Sequence, residues 1–341
     1  MTITTTDPRH AGFKIPALPE KSGDTISDVA ANLQILATAG LLDLADPAER
    51  LDATRMVARN CAATAWLLAE MSEARDLLAA FSSETIAEVD DARIIIARLA
   101  EEAFLEGGDE TRSISGTWHG VGGAAHADWI LLLGLRDDAG KPAAAMVRRD
   151  QAVCVDYPYY GGLRGAGWHN IVIDGLSVPA HRWACADRLA GKGLGANRML
   201  GVALGSAEGG YHDSVTATRA RITGIGGFAV ANFTQVQARL AESDAELRGA
   251  SGSYEAMKML LIENPNSAHI ERDRAYLARK SLDAVTRLVR QMGAMGLAET
   301  NPVQRRYRDI RAVAADPSFA WDASMAHFGR ELLGIAEPVA H

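Results

Sequence analysis

Cysteine is scarce in this sequence. Only Cys61, Cys154 and Cys185 occur in 341 residues. Their odd number and wide spacing give neither a disulfide framework nor a zinc knuckle. A reducing compartment is therefore the default, and we expect a cytoplasmic protein.

Long hydrophobic runs are also missing. The longest is WILLLGL, Trp129 to Leu135, far below the about 20 apolar residues that a membrane-spanning helix needs. The first sixteen residues lack the basic, apolar and small-residue succession of a secretory signal. We expect no membrane partner.

Positive charge is in deficit. The formal net charge is −8, whereas binding to phosphate backbones needs a basic surface. Nucleic acid is therefore excluded as the main partner. A hydrophobic fraction of 48% with 23% charged residues is ordinary for a globular protein, and the length indicates two or three packed layers or subdomains.

The common phosphate and metal motifs are absent. No Walker sequence occurs, and the glycines of 162–167 precede a strand-like segment rather than a helix. A second glycine-rich run, TGIGG at 223–227, lies inside a stretch that we predict as helical. His119 and His126 have no carboxylate or thiolate at ligand spacing, so no metal site is expected. With no nucleophile elbow either, chemistry carried by a cofactor is favoured.

Three segments differ in pattern. Helical periodicity begins near a capping Asp24 and continues through ARIIIARLAEEAFLEG to Gly107 and Gly108. Short strand-like runs between about 112 and 183 predict a compact antiparallel sheet. Helical patterns return after Gly205 and include a long amphipathic helix over SAHIERDRAYLARKSLDAVTRLVRQMGAMG. We predict domains at 1–110, 111–190 and 191–341, in a mainly α chain with a small central β domain.

Four stretches carry a resemblance to a known family. They are GTWHGVGGAAHADWILLLG (116–134), GLRGAGWHNIVIDGLSVPAHR (162–182), RQMGAMGLAETNPVQRRYRDIRAVAADPSF (290–319) and HFGRELLG (327–334). In order and spacing they resemble the acyl-CoA dehydrogenase fold, and within it the flavin-dependent monooxygenases of the two-component aromatic hydroxylase and dibenzothiophene monooxygenase type. The resemblance implies an N-terminal helical domain, an antiparallel β-sheet domain and a C-terminal four-helix bundle.

The resemblance also implies a flavin site. The cofactor would be FAD, with FMN as the alternative. Residues 118–123 would line the isoalloxazine, the glycine loop 162–167 would let backbone approach it closely, and 178–182 would lead from the sheet into the bundle. The turn at 291–296 would meet the phosphate or adenosine part across a subunit boundary, which implies a homodimer or homotetramer. The alternative for these glycines is tight turns without a ligand. The implied flavin contacts are Trp118, Val121, Gly122, Gly123, Gly165, Ala166, Gly167, Trp168, Arg219, Arg221, Gln291, Gly293 and Gly296.

Several polar groups of the hydroxylases are replaced here. Gly122 stands where those enzymes carry a serine, and Ala166 and Trp168 stand where they favour threonine and serine. A family histidine of the N-terminal domain falls near Glu73 or Ala74. Three tyrosines at 157, 159 and 160 form an aromatic patch that suits packing or a substrate wall better than chemistry.

Two residues are candidate acids or bases. Asp316 replaces a family histidine and lies close to the glutamate base of acyl-CoA dehydrogenases, so it could move a proton. Its alternative role is to cap or end a helix before Pro317. His169 is the second candidate, with structural or surface roles as the alternative.

The leading hypothesis is a monooxygenase that transfers oxygen from a flavin C4a-(hydro)peroxide to a small aromatic or natural-product intermediate. A water-poor cavity is required, and reduced flavin would come from a separate reductase or from dehydrogenation of the substrate. The first alternative is a dehydrogenase or oxygenase acting on a CoA thioester with Asp316 as base. The second is a non-catalytic binding subunit that keeps the fold.

Overall fold

The computed structural model describes residues 16–18, 24–108, 110–157, 160–264 and 267–335. Tyr159 of the predicted aromatic patch lies outside them. The chain divides into two compact units. One comprises Pro16–Arg50 and Trp66–Arg198 and is called the sheet unit; the other comprises Leu51–Ala65 and the chain from Met199 onward and is called the helical unit. The three predicted domains stay a prediction.

In the part of the chain that the structure describes, four helices precede the sheet. Thr25, rather than the predicted Asp24, caps the first of them by accepting a hydrogen bond from the Asp28 N–H. Ser82 caps the fourth in the same way. The helices are α1 (Ile26–Thr38), α2 (Pro47–Ala58), α3 (Ala62–Leu78) and α4 (Ser83–Glu88).

Eight strands form one sheet in the order β6-β7-β3-β2-β4-β5-β8, with β1 paired to β4. The β1–β4 and β2–β4 pairs are parallel and the others antiparallel, so the sheet is mixed rather than purely antiparallel. The strands are β1 (Ile94–Ala97), β2 (Leu99–Gly107), β3 (Thr111–Gly122), β4 (Trp129–Asp137), β5 (Pro142–Arg148), β6 (Val153–Asp156), β7 (Trp168–Pro179) and β8 (Trp183–Cys185).

The helix predicted up to Gly107 is wrong, because β1 and β2 occupy its last part. Its arginines, glutamates and alanines are good helix formers, but Ile94 pairs with Trp129 and Leu99 with His119. All four residues of β1 are buried. Burial against neighbouring strands outweighs local propensity here.

The predicted exit from the sheet at 178–182 is also wrong. β7 ends at Pro179, a short turn covers Ala180–Arg182, and β8 then pairs with β5 through Ala143 and Cys185. The chain therefore adds one more strand before it leaves the sheet.

The helical unit confirms the predicted return to helix, which begins at Leu200. The predicted amphipathic helix is α7, capped by Ser267. It ends at Gln291, before the predicted end, and a short turn over Gly293–Leu297 follows. The TGIGG run is not helical: it forms the turn after α5, where Gly226 and Gly227 take positive φ values of 83° and 63°. The helices of this part are α5 (Leu200–Ala220), α6 (Thr234–Glu263), α7 (Ala268–Gln291), α8 (Pro302–Ala314) and α9 (Trp321–Leu333).

Glycines on α5 permit very close packing against α2. Gly201, Gly205 and Gly209 are four residues apart and share one helix face. A Cβ atom at each would collide with a backbone carbonyl oxygen of Leu51, Arg55 and Arg59, respectively. The two helix backbones therefore approach as closely as glycine allows.

A mainly α chain with a small central β domain is confirmed. Among the described residues, no helix is long and apolar enough to span a bilayer. The cytoplasmic location stays a prediction.

Candidate functional site

The glycine loop predicted to lie beside the flavin is fixed to the end of β3. The Gly123 N–H donates to the carbonyl oxygens of Ala166 and Gly167, at 3.0 and 3.1 Å. Leu163 and Gly167 have positive φ values of 53° and 69°, on either side of a short turn over Arg164–Ala166. The loop is therefore a defined backbone structure rather than an open glycine flap.

Two buried histidines support the same loop. His126 Nε2 lies 3.0 Å from the carbonyl oxygen of Gly165, and His169 Nδ1 lies 3.2 Å from that of Gly167. The other ring nitrogen of His169 faces Asp156 Oδ1 at 3.2 Å. Burial lowers the pKa of His126 below its ordinary value of 6.5. These contacts give both histidines a positioning role, and acid–base chemistry at His169 stays a prediction.

The expectation that His119 and His126 form no metal site stays a prediction. Within the described ranges, no group of three or more His, Cys, Asp or Glu side chains could hold a metal ion. His119 contacts Glu101, with 2.6 Å between Nε2 and Oε2, on the exposed surface of β3 and β2.

Four aromatic rings meet beside the glycine loop, and we call them the aromatic wall: Trp66, Trp168, Tyr160 and Tyr157. Ring centroids are 5.1 Å apart for Trp66 and Trp168, 4.2 Å for Tyr160 and Trp168, and 5.5 Å for Tyr157 and Tyr160. The middle pair is stacked, with 19° between ring planes. Each ring is half-buried. The predicted tyrosine patch is thus extended by two tryptophans.

The glycines at the end of β3 are required because other side chains of this chain occupy the space that a Cβ atom would need. A Cβ atom at Gly122 would lie 2.7 Å from Cζ3 of Trp66, and one at Gly120 would lie 2.6 Å from the hydroxyl of Tyr160. At Gly123 it would lie 2.6 Å from a methyl group of Leu67. Close internal packing accounts for these glycines, whereas the sequence suggested close approach of a cofactor. Flavin contact at Gly122 and Gly123 stays a prediction.

Trp118 and Val121 are core residues of the sheet unit. The Trp118 indole is fully buried and its Nε1–H donates to the carbonyl oxygen of Leu133 at 2.7 Å. Val121 is 3% exposed. Their side chains therefore stabilise the sheet behind the aromatic wall.

The predicted flavin contacts of the helical unit cluster around the end of α7. The Arg221 guanidinium donates to the carbonyl oxygen of Met292 at 3.2 Å and ties the turn after α5 to this point. Gln291 Oε1 is buried without a hydrogen-bond donor, and Arg219 is exposed. Gly293, with a φ of 61°, has open space around it.

Gly296 differs from Gly293, because it packs inside the chain. A Cβ atom there would lie 2.5 Å from the carbonyl oxygen of Val289. This glycine therefore closes the turn after α7.

Asp316 acts as a cap in this structure. Its Oδ1 accepts a hydrogen bond from the Ser318 N–H at 2.9 Å and begins the short turn Pro317–Phe319. Arg274 Nε donates to the carbonyl oxygen of Ser318 at 2.7 Å. These contacts match the capping alternative, and a proton-transfer role for Asp316 stays a prediction. Asp316 belongs to the helical unit and His169 to the sheet unit.

The sequence interpretation missed Trp66 and a buried charge cluster on α3. Glu70 accepts hydrogen bonds from Arg198 at 2.6 Å and Arg98 at 3.2 Å. Spacing of four residues places Glu70 on the face of α3 that carries Trp66, and this spacing was the available signal.

Glu73, one turn further along α3, is also buried. Its carboxylate accepts the N–H groups of Leu194 and Gly195 at 2.9 and 3.0 Å. Burial raises the pKa of Glu73 above its ordinary value, although Arg198 and Arg98 oppose this. Glu73, which falls near the position of a family histidine, therefore holds a loop.

Comparisons with known proteins agree with this architecture. Residues 199–319 match the family described as Acyl-CoA dehydrogenase, C-terminal domain. The oxygenase component of the FADH(2)-dependent resorcinol hydroxylase of Rhizobium sp. is 26% identical over 360 residues, covering 90% of this chain and 88% of that protein.

Two solved structures share the fold. The 3-HSA hydroxylase from Rhodococcus sp. RHA1 has a TM-score of 0.77 at 20% identity, over 92% of this chain and 93% of the other. XiaF from Streptomyces sp., in complex with FADH2 and glycerol, has a TM-score of 0.78 at 18% identity, over 91% and 89% of the two chains. The predicted acyl-CoA dehydrogenase-like fold is confirmed.

Proposed function

We propose that this chain belongs among the flavin-dependent enzymes of the acyl-CoA dehydrogenase fold. From this premise, we infer that it is the oxygenase component of a monooxygenase acting on a small aromatic compound. The observation that carries the proposal is the match to a resorcinol hydroxylase component over nine-tenths of this chain. A separate reductase would deliver the reduced flavin, FAD with FMN as alternative, which supplies the oxygen-activating chemistry when bound.

The helical unit contains groups that fit a flavin dinucleotide. The buried Oε1 of Gln291 lacks a donor, and a ribose hydroxyl or an adenine amino group would provide one. The exposed guanidinium of Arg219 suits a diphosphate. The open space at Gly293 leaves room for a ligand beside the backbone. We assign the dinucleotide part of the cofactor to these residues, with Arg221 holding the turn in place.

The sheet unit contributes rigidity and an apolar surface. His126 and His169 fix the carbonyl groups of the glycine loop. These contacts hold the loop in place and keep it from opening to water. The aromatic wall next to it offers half-buried ring surfaces and few polar groups. Such a surface suits an aromatic substrate and a reaction that must exclude water.

Exposed apolar side chains support assembly into a homodimer or homotetramer. Ile225 is 94% exposed and Phe228 63% exposed in the turn after α5, and Leu297 is 78% exposed in the turn after α7. Arg221 joins these two turns. Apolar surface of this kind commonly marks an interface between subunits.

The experiment combines cofactor binding with oxygen labelling. Reduced FAD and reduced FMN are titrated into the full-length protein under anaerobic conditions, and the complex is then mixed with ¹⁸O₂ and resorcinol, 4-hydroxyphenylacetate or 2-naphthol. Mass spectrometry measures the label in the products. We expect tighter binding of reduced than of oxidised FAD, and label in at least one aromatic product.

Two results would contradict the proposal. Bleaching of bound oxidised FAD by butyryl-CoA without a reductant, together with unlabelled aromatics, would favour the dehydrogenase alternative. Absence of binding to either flavin would favour a non-catalytic subunit. The Asp316→Asn variant tests the dehydrogenase alternative further. If Asp316 is the catalytic base, the variant should lose bleaching and keep its affinity for flavin.

A further inference from the structure

Aromatic residues make up only 6% of the chain, yet four of them form the aromatic wall. Trp168 contacts both Trp66 and Tyr160, so it is the ring that makes the wall continuous. Half-buried aromatic rings that touch one another form a continuous apolar surface, and aromatic side chains commonly line ligand sites.

The wall presents ring surface rather than hydrogen-bonding groups. The Trp168 Nε1–H donates to the carbonyl oxygen of Leu163 at 3.2 Å. The two neighbouring histidines are engaged with the loop carbonyls of Gly165 and Gly167. The hydroxyl of Tyr160 is the polar group at the edge beside Gly120. A ligand would therefore be recognised mainly by the shape and size of its rings.

Glycines keep side chains away from these rings. Any side chain at Gly122 would enter the space of Trp66 and Trp168, and any at Gly120 would meet Tyr160. Asp156, at the rim, lies 3.2 Å from the His169 ring and its side chain is 91% exposed, so it can remain in solvent. These contacts give an apolar centre with the Asp156 carboxylate at its border.

We propose that the aromatic wall binds the rings of the substrate and that Trp168 is the specificity-determining residue, favouring planar fused-ring aromatic compounds over single-ring phenols. This inference rests on the proposed function. A fused ring system covers more of a continuous wall than one ring does and so buries more apolar surface. Trp168 provides the continuity, because it lies between Trp66 and Tyr160.

The test compares two ligands that carry the same hydroxyl group. Phenol and 2-naphthol are titrated by calorimetry into the full-length protein with FAD present, for the wild type and for Trp168→Ala and Trp168→Phe. We expect the affinity ratio of 2-naphthol to phenol to fall roughly five- to tenfold in Trp168→Ala, and to stay within about twofold of wild type in Trp168→Phe. Trp321→Ala, which removes an exposed tryptophan of the helical unit, should leave the ratio unchanged.

The outcomes separate this inference from the proposed function. An unchanged or increased ratio in a folded Trp168→Ala protein would overturn the inference even if labelled oxygen enters aromatic products. A Trp168-dependent ratio without any oxygen transfer would support the inference and contradict the proposed function. Where Trp168→Ala does not fold, Trp168→Leu takes its place, because it keeps apolar bulk but removes the ring. An unchanged ratio in that variant would overturn the inference.

Discussion

Trp66 and Gly122 share one space in the sheet unit. The six-membered ring of Trp66 lies where a side chain at position 122 would begin, and Trp168 Cζ3 lies 3.0 Å from the same point. The glycine that distinguishes this chain from the hydroxylases is therefore explained by a tryptophan on α3. A substitution at either position therefore limits which side chains fit at the other.

Gly122→Ala should lower the free energy of unfolding by about 1–3 kcal/mol, because the added methyl group overpacks against two indoles. In a Trp66→Ala background the same Gly122→Ala change should cost less, since the space is free. Urea denaturation of the single and double variants measures the coupling. Gly161→Ala is the matched control, because nothing lies within 4 Å of its Cβ position. Equal losses of stability in Gly122→Ala and Gly161→Ala would contradict the conclusion that Trp66 occupies the space of a side chain at position 122.

Gly205→Ala should be among the most destabilising single changes, costing more than about 3 kcal/mol, because its Cβ would collide with the carbonyl group of Arg55 and lie 2.9 Å from Cβ of Ala58. Gly252→Ala on α6 meets nothing within 4 Å, and should stabilise the protein by about 0.5–1 kcal/mol through helix propensity. Thermal unfolding monitored by circular dichroism should therefore show changes of opposite sign. A stable Gly205→Ala protein would show that α2 and α5 are further apart than described.

Glu208→Gln should destabilise the protein by about 3 kcal/mol at neutral pH, because Glu208 binds the buried Arg55 at 2.6 Å and Arg59 at 2.7 Å. Burial disfavours its ionisation, but the hydrogen bond and charge of Arg55, with Arg59, lower the pKa of Glu208 below its ordinary value of 4.5. The stabilisation is therefore present above pH 4.5 and is lost as pH falls through the lowered pKa. Denaturation curves between neutral and acidic pH should show wild type and variant converging, and a constant difference would contradict the assignment.

His126→Gln should flatten the pH dependence of stability on the acid side of neutrality. The folded state keeps His126 neutral, while the unfolded chain binds a proton near pH 6.5. Stability therefore falls as pH drops below 6.5, until the lowered pKa of the folded state is reached. Melting temperatures measured from pH 7.5 to about 5 should fall less steeply in the variant. An unchanged slope in the variant would contradict the assignment.

Arg219→Ala should weaken binding of reduced FAD about fivefold at low salt, because it removes a cation assigned to the diphosphate. The effect should shrink as salt is added, since exposed charges are screened. Arg239→Ala removes another exposed arginine of the helical unit and should leave the affinity unchanged. Loss of affinity of equal size in both variants would indicate a general charge effect instead.

Much of the helical part could be predicted from the sequence, because α7 alternates apolar and charged residues at helical spacing and begins at a capping Ser267. β2 could not, since LAEEAFLEG is rich in helix formers and its pairing with β3 and β4 makes it a strand. The three isoleucines of β1 do favour a strand, but its partner in β4 lies 35 positions later, at Trp129 for Ile94.

The candidate site could likewise be predicted only in part from the sequence. The glycine loop and Trp168 could be predicted because they lie in the GLRGAGWHN segment, whereas Trp66 could not, because one tryptophan in an apolar helix is typical of a core residue. Its role depends on the absence of a side chain at Gly122, 56 positions later in the sequence. Likewise, the capping contact of Asp316 with Ser318 is a local feature that the sequence offered as one of two alternatives.

The assignment of Leu51–Ala65 to the helical unit, between two segments of the sheet unit, means that neither unit is a continuous piece of chain. During synthesis, every strand of the sheet has emerged by Cys185, while most of α2 still lacks the α5 backbone against which it packs. A fragment that begins at Met199 would contain the matched family segment 199–319 but would leave Gly201 and Gly205 facing solvent and Glu208 without its two arginines. The C-terminal half is therefore not an autonomous domain, and any division of this chain for expression has to retain α2.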